Sequence, residues 1–251
     1  MKNDRTVHEG PWARKPDRSG PPRRPDEPPV FNAPSVVVWT IGVLVAVFFL
    51  LLVLPSGFVR NFELYTGVIP LRFLAGLEGR GGFVGMVGPL FSHMALHANL
   101  MHLMFNSVWL LIFGTAVARR LGGGFVSANI FLSFFALSGA AGALFYILLN
   151  MKSTVLLVGA SGGISGLFGA ALRIMLAPRP HFARESRDLA PLTDRNLLIW
   201  SALILVLNFV TAFYGAIVSP AANQVAWEAH MGGFLFGLFT FPFFDRAANR
   251  R

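Results

Sequence analysis

Gly159-Ala160-Ser161-Gly162-Gly163-Ile164-Ser165-Gly166-Leu167-Phe168-Gly169 opens an apolar run that continues to Ala177. A run of this composition reads as a helix entering hydrocarbon, and its first turns are almost entirely Gly, Ala and Ser. Small residues let helix backbones approach closely in a membrane, which predicts a central, crowded helix. A lone serine in such a helix is most often a packing residue. Ser161 and Ser165 have company, however: His102, Asn106 and His230 also fall inside apolar segments. Polar and ionisable groups placed there are costly and usually functional.

Composition excludes a simple soluble globule. Of the 251 residues, 54% are hydrophobic, only 13% are charged and 25 are Phe, and the mean hydropathy is +0.59. Apolar runs of about 20 residues mark membrane-spanning helices. The formal charge of +9 does not point to nucleic acid, because the basic residues lie between apolar runs rather than on one surface. Cysteine is absent, which excludes disulfides, thiol catalysis and cysteine metal sites.

Residues 1–33 are polar and rich in Pro, Arg and Asp. They carry too little apolar surface to offset ordering entropy, so a disordered cytoplasmic tail is expected. A long polar segment ahead of the first apolar run argues against a signal peptide. An all-α membrane domain of six transmembrane helices is expected over 34–245, with spans near 35–54, 92–116, 125–149, 159–177, 197–217 and 226–244. Residues 246–251 form a short cytoplasmic tail. The connection 58–90 is apolar enough to lie in the membrane interface. With six spans, 17 of the 21 lysines and arginines fall on one side, which assigns both termini to the cytoplasm.

Spans 2, 4 and 6 then all enter from the outer face. Ser161 lies in the first turn of span 4, His230 about one turn into span 6, and His102 and Asn106 two to four turns into span 2. At about 1.5 Å per residue, all four fall in the outer half of the bilayer. A serine hydroxyl is unreactive until a neighbouring base takes its proton. His230 is the candidate base, and the Gly233-xxx-Gly237 pair on its helix would let span 6 press against the glycine-lined span 4. No Asp or Glu inside an apolar run can orient the histidine, so the arrangement reads as a dyad. Glu228 is taken as an interfacial charge. The backbone N–H of Ser161 and the side chains of His102 and Asn106 are candidate oxyanion donors. Gly163-Ile164-Ser165-Gly166 repeats the Gly-x-Ser-Gly pattern one turn deeper, and its depth disfavours Ser165, since hydrolysis needs water.

These motifs together resemble the rhomboid intramembrane serine proteases. Gly159-Ala160-Ser161-Gly162 is similar to the family's nucleophile motif, and His102-Leu103-Met104-Phe105-Asn106 to its second-span His-xxx-Asn. Ala229-His230-xx-Gly233-xxx-Gly237 resembles its sixth-span base motif. The resemblance implies Ser161 as nucleophile, His230 as general base and His102 and Asn106 in the oxyanion hole, with Gly159, Gly162, Gly233 and Gly237 in support. It implies no cofactor and no metal. The implied partners are single transmembrane helices as substrates and membrane lipid, with no nucleic acid. The basic six-span bacterial form fits, implying an inner-membrane location with the site opening to the periplasm. Two departures stand out. Residues 58–90 lack the Trp-Arg pair that many members carry, and Ser165 stands where some place an aromatic beside the histidine.

Three other readings fit the residues less well. His93-Met94-Ala95-Leu96-His97 has zinc-protease spacing, but Met94 stands where such an enzyme needs Glu. His93 and His97 read instead as lining the mouth of the site or satisfying loop carbonyls, and His8 and His181 as solvated. A small transporter would want acidic groups inside the spans and an inverted repeat, and neither is visible. A non-catalytic rhomboid-like membrane-protein binder would have lost the serine or the histidine. Asn208, in mid-span 5, reads as a packing residue bonded to a neighbouring helix, with a gate as the alternative.

Overall fold

A computed structural model describes residues 33–80, 82–178, 188–218 and 226–249. The expected disordered tail therefore lies, except for Ala33, outside the described residues. Ala33–Arg251 clusters as one compact unit, and its described part is a helical bundle.

Helix α1 (Ser35–Val53) begins behind Pro34 and ends before Pro55. It is apolar on every side and buries only Val37, Leu44 and Phe48, leaving Trp39, Val43, Phe49 and Leu52 exposed. Such a surface suits lipid, where apolar exposure carries no penalty. The connection after it is not an irregular loop. It folds into α2 (Ser56–Thr66), α3 (Pro70–Leu77), α4 (Gly82–Val87) and α5 (Pro89–Ser92), with a 3₁₀ turn over His93–Ala95. The Arg72 guanidinium donates to the carbonyls of Leu64 and Gly67, satisfying groups that the end of α2 leaves open. Ser92 Oγ donates to the Thr66 carbonyl at 2.6 Å.

The second span begins later than the apolar run suggests. Helix α6 (Leu100–Trp109) starts behind Asn99, whose side chain accepts from the His102 N–H at 2.9 Å. Asn is among the strongest N-caps, and it overrides the apolar run before it. A π-turn over Leu110–Gly114 leads into α7 (Thr115–Leu121), which carries Arg119 and Arg120 in its last turn. Cations there complement the partial negative charge of a helix C-terminus. Gly122 and Gly124, at φ +89° and +92°, make the turn into α8 (Phe125–Leu149). The remaining helices are α9 (Ser161–Met175), α10 (Arg195–Val218) and α11 (Trp227–Asn249). α11 thus runs past residue 245 into the expected tail. Among the described residues, α1, the α6–α7 segment and α8 have the length and apolarity to cross a membrane.

α9 is the central helix, packed between α8 and α11, and 10 of its 15 residues are buried. The contacts are backbone against backbone. A Cβ on Gly233 or Gly237 would run into the carbonyls of Gly162 and Gly166 respectively. One on Gly142 of α8 would lie 2.5 Å from the Ala229 carbonyl and 3.4 Å from Gly162 Cα. Below this glycine layer sit Phe131, Phe134, Leu167 and Phe241.

Polar groups near the other end find partners. Arg120 grips Asp245 with two bonds, of 2.8 and 2.7 Å, joining α7 to α11. Pro242 lies inside α11 and has no N–H for the Leu238 carbonyl four residues back. Arg173 of α9 supplies the missing donor at 3.1 Å, and its Nε donates to the Ala190 carbonyl at 3.0 Å.

The glycine contacts generate a direct test. Gly237→Ala should lower stability in detergent by about 1–3 kcal/mol, the usual cost of overpacking. Gly42 faces open space, so Gly42→Ala should be neutral or stabilising by up to about 1 kcal/mol. Equal unfolding midpoints for the two variants would show that the α9–α11 contact is looser than described.

Candidate active site

The site is assembled from the chain entering α9. Val68 and Leu157 exchange backbone hydrogen bonds of 3.1 and 2.8 Å, and the Leu71 N–H donates to the Ser153 carbonyl at 3.1 Å. The α2–α5 region is thereby laced to the α8–α9 connection. Farther along, the Gly159 N–H donates to the His93 carbonyl at 2.9 Å. The His93 ring is itself held, with Nδ1 2.9 Å from the Pro89 carbonyl. A carbonyl only accepts, so His93 carries its proton on Nδ1. The ring thus satisfies a carbonyl of α5 rather than of a loop, and the His93 backbone braces the approach to α9.

Gly159 has φ +117°, which only glycine adopts without strain, so α9 begins at Ser161 rather than at Gly159. The missing side chain is also a missing obstacle. A Cβ here would lie 2.7 Å from both Cε1 and Nε2 of His102, and 3.8 Å from Asn106 Nδ2. The imidazole and the carboxamide therefore sit against the backbone two residues before Ser161. His102 and Asn106 belong to the first two turns of α6, shallower than the sequence reading had them, because α6 starts at Leu100. Asn106 is buried, and its Nδ2 donates to the His102 carbonyl at 3.1 Å. A carboxamide has a second N–H to offer. The backbone N–H groups of Ser161, Gly162 and Gly163 have no intrahelical acceptor, since the first turn of any helix leaves them over.

On the other side stands α11. His230 is in its first turn. A Cβ on Gly162 would lie 3.5 Å from the Ala229 carbonyl, so the residues next to Ser161 and to His230 are in backbone contact. Ser161 and His230 are both half-buried. Among the described residues no hydrogen bond joins them, and such contacts are often long before substrate binds. Ser165 lies one turn farther along α9.

Two partners were not assigned from sequence. His230 Nδ1 lies 3.0 Å from Asn208 Oδ1, and Asn208 Nδ2 donates to the Trp227 carbonyl at 3.0 Å. The available signal was a polar residue in the middle of an apolar span, but sequence does not say which helix it faces. Glu228 accepts from Asn150 Nδ2 at 3.0 Å, tying the start of α11 to the end of α8. His97 stacks edge-on against His102, with ring centroids 5.2 Å apart. Both its ring nitrogens are buried with no partner among the described residues.

The family model described as Rhomboid domain matches residues 84–246, well over half of the chain. The chain is 29% identical over 180 residues to RHOMBOID-like protein 5 of Arabidopsis thaliana, covering 72% of this chain and 51% of that protein. It is 28% identical over 150 residues to Rhomboid protease GluP of Bacillus subtilis (strain 168), covering 60% of this chain and 24% of that protein. The chain thus spans about half of one relative and a quarter of the other.

The close approach at Gly159 is testable through stability. Gly159→Ala should lower it by about 1–3 kcal/mol, from left-handed backbone strain and contact with the ring. Adding His102→Ala makes room for the methyl and should return part of that loss, a coupling that a double-mutant cycle reads directly. Strictly additive losses would show that the His102 ring does not press on Gly159.

Proposed function

The chain belongs to the rhomboid family, and on that premise we propose that it is an intramembrane serine protease. Its substrates would be single transmembrane helices of other proteins, cut where small residues and helix-weakening residues occur together. One observation carries the reading. The first turn of α9, bearing Ser161, is pressed backbone to backbone on the first turn of α11, bearing His230, while His102 crowds Gly159 and Asn106 lies at contact distance from it.

In this reading Ser161 Oγ attacks the scissile carbonyl as His230 takes its proton. The negative charge that develops on the carbonyl oxygen meets the Ser161 N–H, the Asn106 carboxamide and the His102 ring. Collapse of the tetrahedral species breaks the C–N bond, and His230 returns the proton to the departing amine. Water then gives a proton to His230 and its oxygen to the acyl carbon; collapse breaks the ester C–O bond as His230 returns that proton to Ser161 Oγ, and the new acid is released and ionises to a carboxylate.

The membrane arrangement is proposed with it. Six spans (α1, α6–α7, α8, α9, α10 and α11) put 17 of the 21 lysines and arginines on the cytoplasmic side with both termini. Helix α9 has 15 residues, roughly 22 Å at 1.5 Å per residue, against about 30 Å of hydrocarbon. Its N-terminus is therefore recessed, with Ser161 below the outer surface yet within reach of external water. A non-catalytic membrane-protein binder is the second reading, favoured by the absence of a Ser161–His230 hydrogen bond among the described residues.

A fluorophosphonate or isocoumarin probe separates the two. Wild type should label and should cleave a co-expressed single-span substrate. Ser161→Ala should lose both, whereas Ser165→Ala should keep most of each. Retained labelling in Ser161→Ala with loss in Ser165→Ala would move the nucleophile one turn deeper. Asn106→Ala and His102→Ala should cut turnover, by up to about 10²–10³ for a full oxyanion donor, with substrate binding nearly intact. Orientation is checked separately: a reporter fused after Arg251 should be active only in the cytoplasm.

A further inference from the structure

We propose that Asn208 of α10 is a positioning residue for His230, holding the imidazole in the one tautomer that leaves Nε2 free to accept a proton from Ser161. The inference rests on the protease reading for its catalytic consequence, but not for its chemistry. That chemistry starts from a backbone carbonyl. The Trp227 C=O only accepts hydrogen bonds, so the group of Asn208 lying 3.0 Å from it is the NH₂. With the NH₂ so placed, Oδ1 faces His230 Nδ1 at 3.0 Å. An amide oxygen also only accepts, so Nδ1 carries the ring hydrogen. In a neutral imidazole one nitrogen donates and the other accepts, which leaves the lone pair on Nε2. A carbonyl of α11 thus orients the amide of α10, and the amide orients the base of α11.

The bond is built into the helix contact rather than made by a wandering side chain. The next residue, Phe209, packs edge-on against the Trp227 ring, with centroids 5.4 Å apart and planes at 89°. That contact sets the register of α10 on the first turn of α11 and brings Asn208 level with His230. An amide also suits the setting better than a carboxylate. Mid-span charge is costly, and a neutral dipole supplies the same acceptor geometry. Serine hydrolases place an acceptor behind the histidine to hold its ring and tautomer. Here Asn208 occupies that place, so the site reads as Ser161, His230 and Asn208 rather than as a bare dyad.

Histidine ¹⁵N spectra of the full chain in detergent test the tautomer directly. The chain has six histidines, and the His230 signals are those missing in His230→Gln. Wild type should show a neutral ring with hydrogen on Nδ1 and a bare Nε2, and Asn208→Leu should show a mixture of tautomers. Hydrogen on Nε2 in the wild type overturns the proposal even if every variant misfolds, and so does an unchanged tautomer in Asn208→Leu. Kinetics test the consequence. Asn208→Leu should lower kcat about 10–10²-fold with KM little changed, the scale of loss from a misplaced catalytic group. Asn208→Asp, which keeps the acceptor, should recover most of it. Wild-type kcat in Asn208→Leu would overturn the positioning role. Failure of the protease reading shows elsewhere, as cleavage that survives Ser161→Ala, and leaves the tautomer result standing.

Discussion

The contact on which the rest of the structure depends is the direct meeting of backbones between α9 and α11. Gly162 and Gly166 present their carbonyls where Gly233 and Gly237 present nothing but hydrogen, and Gly142 of α8 closes the third side. In hydrocarbon no hydrophobic drive pulls helices together, because lipid is as apolar as leucine. Association comes from dispersion and shape, and both grow as axes approach. Any side chain at these glycines would separate the helices and take the first turn of α11 away from the first turn of α9. The glycines therefore set how far the segment bearing Ser161 stands from the segment bearing His230.

That central contact needs its ends secured, and polar groups do this. Near one end, Arg120 pairs with Asp245, and Arg173 donates to the Leu238 carbonyl that Pro242 leaves without its helical partner. Near the other, Asn150 meets Glu228, and Asn208 links Trp227 to His230. Hydrogen bonds have fixed directions and lengths, so each of these contacts admits only a narrow range of helix positions. They fix rotation and depth, which glycine packing leaves loosely defined. The segment from α2 through the 3₁₀ turn plays the same part for the chain entering α9, through the Val68–Leu157 pair, the Leu71–Ser153 bond and the hold of His93 on Gly159.

That the chain is a helical membrane protein was legible in its residues, and three short motifs carried the resemblance to the rhomboid family, because both kinds of signal are local. Apolar runs of span length, glycines at four-residue spacing and polar residues inside apolar runs are all read within one segment. The same signals singled out Ser161, His230, His102 and Asn106, and of these His102 lies pressed against Gly159. Where helices start was less legible. Asn99 caps α6 and Gly159 at φ +117° delays α9, so both begin later than their apolar runs. Partners between helices were not legible at all. Nothing near Asn208 says that it faces His230, nor does anything near Arg173 say that it answers a proline 69 positions on. Those pairings follow from the rotation and depth that packing imposes on each helix, and only the tertiary structure decides them.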